Sequence, residues 1–299
     1  MSLNHWLAAF LSLLVLPLKL LSMCYHIASD VTLENILNVF PDLVVDHQLD
    51  VEFPTASYIN GFDHKPQQVM LTSRKDGKRH LALMMWGFLP DSVRNLTEAE
   101  NFWNGYKDEN GKWQKGYLTL NAMGEELFQR TLYKDAALNR RCVIFIEGFY
   151  EWYHHFPLGK QGQRLKTAIK YPHHISLKDT PYQFAMVAGI WNPWRHEEHN
   201  DETGELEKIV TPTFALITTE ANELMAKIHN SKRRMPTFLT KELSEEWLQG
   251  GLSQQRITEI ATHQWPAEKM DAYPIAKNFQ EISTPKARHH YPELEQEFC

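Results

Sequence analysis

The strongest pattern along this chain is a set of short runs of branched and aromatic residues. They lie at 67–73, 80–86 (HLALMMW), 141–146 (RCVIFI), 182–191 (YQFAMVAGIW) and 211–218 (TPTFALIT), and their composition predicts strands. Helical spacing is clear at 31–40, where Leu33, Ile36, Leu37 and Phe40 make an apolar stripe behind a cap at Asp30 or Thr32. Further helices are predicted at 124–134, 220–228 and 241–249. Strands outnumber strong helices and do not alternate with them, which excludes a doubly wound parallel sheet and predicts a β-rich α+β domain. The polar stretches 104–116 and 195–209 are expected to be solvated insertions between strands. There is no repeat and no Gly/Ser linker, so one domain is expected over 23–285, followed by a polar tail at 286–299.

Residues 1–22 are almost wholly apolar and stand apart from this pattern. The run from Trp6 to Leu18 has the length of a signal-peptide core and is short for a membrane span. No Lys or Arg precedes it, Pro17 interrupts it, and Met23 stands where a cleavable signal places a small residue. The stretch is therefore expected to be an extension upstream of the working chain, either an overextended start ahead of Met23 or a propeptide. A cytoplasmic protein with no stable membrane partner is expected.

Composition narrows the partners. With 43% hydrophobic and 23% charged residues, the 299-residue chain can bury a substantial core. A formal net charge of -6 gives no global attraction to a polyanion, so any nucleic-acid site must be a local patch. The cysteines Cys24, Cys142 and Cys299 are odd in number and widely spaced, which indicates neither a disulfide framework nor a CxxC metal site. No HExxH is present, and the pairs His154-His155 and His173-His174 are expected at the surface rather than on a metal. Neither metal nor cofactor is predicted.

Four segments carry candidate chemistry: Met23-Cys24-Tyr25-His26, Leu120-Asn121-Ala122, Glu147 through Trp152, and Ile228-His229 through Pro236. In this order they resemble the SRAP family, the SOS response-associated peptidase-like proteins that process abasic sites. The likeness continues through Gly61-Phe62, Trp86-Gly87-Phe88-Leu89-Pro90, Ala188-Gly189-Ile190-Trp191, Thr218-Thr219-Glu220-Ala221-Asn222 and Arg234-Met235-Pro236, covering nearly all of 23–250. One position departs: the family's usual Arg two residues after the matching Asn is Met123 here.

The resemblance implies mixed and antiparallel sheets in an open barrel-like core with flanking helices, and a cysteine that becomes residue one. It further implies covalent capture of abasic sites in single-stranded DNA by Cys24, with Asn121, Glu151 and His229 completing the catalytic set. An N-terminal cysteine carries amine and thiol on neighbouring carbons. The amine forms an imine with the ring-opened aldehyde and the thiol closes on it, giving a thiazolidine. Glu151 and His229 suit proton transfer, and Asn121 suits holding by hydrogen bonds. For DNA, Arg140, Arg141, Lys227, Lys232, Arg233 and Arg234 are expected to meet phosphates, while Trp86 and Phe88 stack on bases. A monomer is expected. Two other classes stay open: a thiol peptidase pairing Cys24 with His229, and an exported protein that keeps its apolar leader.

Overall fold

In the computed structural model, which describes residues 24–47, 55–200 and 203–295, the apolar runs become the staves of a barrel. In chain order the first strands are β1 (His26–Ser29), β2 (Val44–Val45), β3 (Ala56–Asn60), β4 (Pro66–Thr72), β5 (Arg79–Trp86), β6 (Tyr106–Lys107), β7 (Trp113–Gln114) and β8 (Asn121–Met123). There follow β9 (Arg141–Ile146), β10 (Gly148–His155), β11 (Ile169–Leu177), β12 (Ala185–His199), β13 (Leu206–Glu220), β14 (Arg234–Pro236), β15 (Phe238–Leu239) and β16 (Met270–Pro274). The helices are α1 (Leu33–Val39), α2 (Leu96–Asn104), α3 (Thr131–Asn139), α4 (Glu223–Ile228), α5 (Lys241–Trp247) and α6 (Gln254–Ala261). The expected β-rich α+β class is what the chain adopts.

Strands β5, β4, β9, β12 and β13 pair in succession, each antiparallel to the next. The ring then closes, because β13 also pairs with β5 in parallel through Thr213↔Met85 and Phe214↔Trp86. This corrects the expected open barrel. The closing seam continues past β5 as the Gly87 amide donates to the Phe214 carbonyl at 2.9 Å. Closure leaves the barrel strands covered on both faces. In β9, Val143 and Phe145 join a core with Ile36, Phe40, Tyr133 and Trp247, while Ile144 and Ile146 join another with Trp86, Phe149, Phe214 and Met225. Two-sided burial is why RCVIFI reads as an unbroken apolar run. A second, antiparallel sheet in the order β16-β11-β10-β1-β3 shares the second core through Ile27, Phe149 and Ile175.

Three local expectations change. The helix predicted at 124–134 is a short 3₁₀ turn over Gly124–Glu126 followed by α3. Gly124 lies so close to the end of α6 that a Cβ there would sit 2.3 Å from the Ala261 carbonyl oxygen, and backbone contact replaces the helical turn. The stretch 195–209 is a continuation of β12 and β13, paired from Arg195↔Val210 to His199↔Leu206. Its charges hid the strand, although an inside-outside alternation persists next to the barrel: Trp194 and His196 are buried, while Arg195 and Glu197 are exposed. The stretch 104–116 likewise holds the small hairpin β6–β7. Beyond residue 285 the chain still packs. Lys286 pairs with Asp30 and Glu147, the Tyr291 hydroxyl donates to the Ile275 carbonyl at 2.9 Å, and Leu294 is buried. The apolar stretch 1–22 and Met23 lie outside the described residues. Among the described residues no helix is long and apolar enough to cross a membrane.

Two sets of polar residues prove structural. Arg141, expected on phosphate, is 7% exposed: its Nε donates to Trp247 O and its Nη1 to Ala137 O and Leu138 O, each at 2.6 Å. Its Nη2 donates to Gln249 O. The guanidinium thus satisfies the carbonyls that end α3 and α5, groups a helix cannot satisfy itself. His173 and His174, expected at the surface, are buried between β10 and β16, and burial holds each imidazole down to about 4. His26 and His64 are held down to about 4 by the same cause.

Arg141→Ala is expected to lower the unfolding free energy by about 3 kcal/mol, since several buried carbonyls lose a charged donor. Arg233→Ala, at an exposed position, is expected to change it by less than about 0.5 kcal/mol. Urea unfolding of both variants checks this, and equal midpoints would remove the clamp role. The four histidines give a second expectation. Unfolded imidazoles bind protons near 6.5 that the folded ones refuse until about 4, so their stabilising contribution is complete above 6.5 and is lost as pH falls towards 4. The urea midpoint should fall across that window, and replacing His174 by Gln should flatten the fall.

Candidate functional site

The site is built around the first described residue. Cys24 and Tyr25 enter β1, whose register His26↔Tyr150 on one side and His26↔Asn60 on the other fixes the chain between β10 and β3. Gly61 seals this entry: its amide donates to Tyr25 O at 2.7 Å, and a Cβ would meet that oxygen at 3.0 Å and the Trp86 ring at 3.1 Å. On the other flank Asn121 Nδ2 donates to Cys24 O at 3.3 Å. Asn121 is placed by β8, which lies parallel to β13 with Leu216↔Asn121.

Glu151, 0% exposed, sits on β10 one residue beyond the span that pairs with β1. The Glu151 carboxylate lies close enough to the Cys24 thiol to act on its titration. Burial first, then the charge and hydrogen bond of Glu151, push this thiol well above its ordinary range, while Arg234 pulls the other way. His229 ends α4, with its amide donating to Met225 O at 2.8 Å. Its Nδ1 faces Arg234 O at 2.9 Å, an acceptor only, so Nδ1 carries a proton. The ring's Nε2 is thereby aimed at Glu151 Oε2, 3.7 Å away. Cys24, Asn121, Glu151 and His229, drawn from four distant segments, thus meet in one buried cluster.

The DNA residues expected from the sequence divide. Trp86 is fully buried, with its indole N–H donating to Leu120 O at 2.9 Å and its ring stacked on Phe214. Phe88 is buried edge-on against Tyr133. Neither presents a face to a base, which corrects the stacking expectation: the WGFLP segment forms the barrel seam. Arg234 is 6% exposed and committed to Thr218 O at 2.6 Å and to Glu125 Oε2 at 2.8 Å. Arg140 bonds Asp135 and Trp191 O. Lys227, Lys232 and Arg233 are exposed beside His229, with Arg233 held at φ 54 as the chain turns into β14. Met123 is half-buried on β8 opposite Thr218.

Sequence reasoning missed Asn230. Its Oδ1 accepts from His154 N at 3.1 Å and its Nδ2 donates to His154 O at 2.9 Å, so it pairs with the free edge of β10 like an extra residue of strand. This staple fixes the His229 loop against the strand that carries Glu151. Glu125, which receives Arg234, was missed as well. The only signal for Asn230 was its place next to His229.

Known proteins resemble this chain over most of its length. Residues 23–282 match the family model described as SOS response associated peptidase (SRAP). The chain is 28% identical over 256 residues to the abasic site processing protein YoqW of Bacillus subtilis, covering 85% of this chain and 94% of that one. It is 24% identical over 257 residues to the abasic site processing protein YedK of Escherichia coli, covering 85% and 93%. A crystal structure of a protein from Bacteroides thetaiotaomicron superposes with a TM-score of 0.66 at 25% identity, covering 89% of this chain and 100% of that one. With the family model spanning the barrel, the second sheet and every member of the buried cluster, the chain belongs to the SOS response associated peptidase (SRAP) family.

Proposed function

We propose that this chain is an abasic-site processing protein whose reacting form begins at Cys24 and captures the damaged sugar in single-stranded DNA as a thiazolidine. The observation that carries this reading is the grouping of the Cys24 thiol with Glu151, His229 and the carbonyl-holding Asn121 in one buried cluster. The relatives named as abasic site processing proteins, covered over nine-tenths of their length, support it.

The chemistry balances on these residues. The α-amine, with an ordinary pKa of about 7.7–8.0, is partly neutral near pH 7 and adds to the C1′ aldehyde. Loss of water from the adduct gives the imine. The thiol sulfur then bonds to the imine carbon, and the proton leaving sulfur ends on the nitrogen. A thiol held protonated by burial needs a base at the moment of attack, and the neighbouring Glu151 carboxylate suits that task. His229, with Nδ1 fixed on a carbonyl and Nε2 towards Glu151, passes a proton to or from that carboxyl. Asn121 cannot titrate and holds the Cys24 backbone. A thiol peptidase is less well supported, because a nucleophilic thiolate needs its pKa lowered, whereas Glu151 and burial raise it here. With Trp86 and Phe88 in the core, phosphate contacts fall to Lys232 and Arg233.

Protein beginning at Cys24, incubated with a single-stranded oligonucleotide carrying one abasic site, should form a denaturation-resistant adduct. Its mass should equal the sum of the two reactants less one water. A competent preparation that retains residues 1–23 would overturn the reading. Cys24→Ala should give no stable adduct while an imine is still trapped by borohydride. Glu151→Gln and His229→Ala should slow formation by about 10²–10⁴-fold if proton transfer limits the step, and unchanged rates in both would remove them from the mechanism.

A further inference from the structure

Between Trp152 and Lys178 the chain has no Asp or Glu, although its formal net charge is -6. This interval is the ribbon formed by the outer part of β10, its turn, and β11. It carries Lys160, Arg164, Lys166 and Lys170, all exposed, and among the described residues none of the four forms an ion pair. Interleaved with them are the exposed apolar side chains Phe156, Leu158, Leu165 and Ile169, of which Leu158 is 68% exposed.

The ribbon has a defined shape to its tip. Gly159 N donates to Gln163 O at 2.7 Å, Leu165 N to Pro157 O at 2.9 Å, and Leu158 and Arg164 form an isolated bridge. Its root is the candidate site itself, since Glu151 pairs with His173 in the same ladder. Basic charge is continuous across the root. Asn230 staples the loop bearing Lys232 and Arg233 to His154, and His154 is the ladder partner of Lys170. From there the cations run outward to the tip, about 25 Å from Glu151 at ~3.3 Å per residue. An acid reaches the ribbon at Tyr171, whose hydroxyl donates to Glu293 Oε1 at 2.6 Å.

We propose that this ribbon is a nucleic-acid-binding arm: it takes the single strand flanking the reacting nucleotide, with its cations on phosphates and its apolar side chains against unpaired bases. The proposal rests on the reading of the site as one that acts on abasic DNA. Unpaired cations interleaved with exposed apolar groups, continuous with the catalytic cluster, are what a sequence-tolerant single-strand surface requires. The charge complement is a polyanion, and the ribbon is the local patch that an acidic chain needs for one.

The test replaces Lys160, Arg164, Lys166 and Lys170 by Ser in the full chain and measures binding to an undamaged 20-nucleotide single strand by fluorescence anisotropy over a range of salt. The slope of log affinity against log salt should become shallower by about 0.7 for each phosphate that is no longer neutralised, up to about 3 in all. Adduct formation on an abasic oligonucleotide too short to reach the arm should be unchanged, while the rate on the 20-nucleotide substrate should fall to that of the short one. An unchanged slope with wild-type circular dichroism would overturn the proposal. So would unchanged DNA binding together with disappearance, in the variant, of a concentration-dependent dimer, which would make the arm an interface between copies of this chain. If wild type forms no adduct but the slope still changes, the reading of the chemistry fails while the arm stands.

Discussion

Two members of the candidate site, Asn121 and His229, are referenced to the hydrogen-bonding edges of β13. Along its length this strand pairs with β12, returns to β5 to close the barrel, aligns β8 and carries β14. Leu216↔Asn121 sets the side chain that holds Cys24, and Glu220↔Arg234 sets the carbonyl that orients His229. Because a register slip of one residue turns every side chain to the other face, the two alignments stand or fall together. The apolar residues Phe214 to Ile217, buried on alternate faces, make such a slip costly.

The second sheet brings the remaining groups by a different route. The β1–β10 pairing lays the entry of the chain beside Glu151, and Asn230 then ties the end of α4 to the same strand. The site is therefore a junction of barrel and sheet, held by backbone pairing rather than by loops. That arrangement lets the cluster be almost fully buried, with 1% or less exposure at Cys24, Glu151 and His229. In such surroundings an uncompensated charge is costly, which is why a carboxyl, an imidazole and a guanidinium appear together near one thiol.

Much of this was legible in the residues. The runs 142–146 and 81–86 were strands because apolar residues covered on both faces leave no polar position, and Asn121, Glu151 and His229 could be picked out by the order of their segments. The ribbon at 195–209 was not legible, because a two-stranded arm in water carries charge at nearly every outward position and reads as loop. Arg141 and Trp86 misled for one reason: a guanidinium or indole looks the same in sequence whether its donors meet a ligand or buried carbonyls. Which carbonyls need a donor is decided by tertiary packing.

The two ribbons give the molecule an uneven field. Residues 195–209 hold six acids against two Lys or Arg, and the outer end of β13 at Leu206 lies about 46 Å along the strand from Glu220, taking ~3.3 Å per residue. The β10–β11 ribbon is purely basic and is rooted at Glu151. A field made locally in this way acts independently of the net charge of the chain. It favours anions at the basic ribbon over anions at the acidic one. That preference weakens as salt shortens the Debye length to about 8 Å at physiological ionic strength.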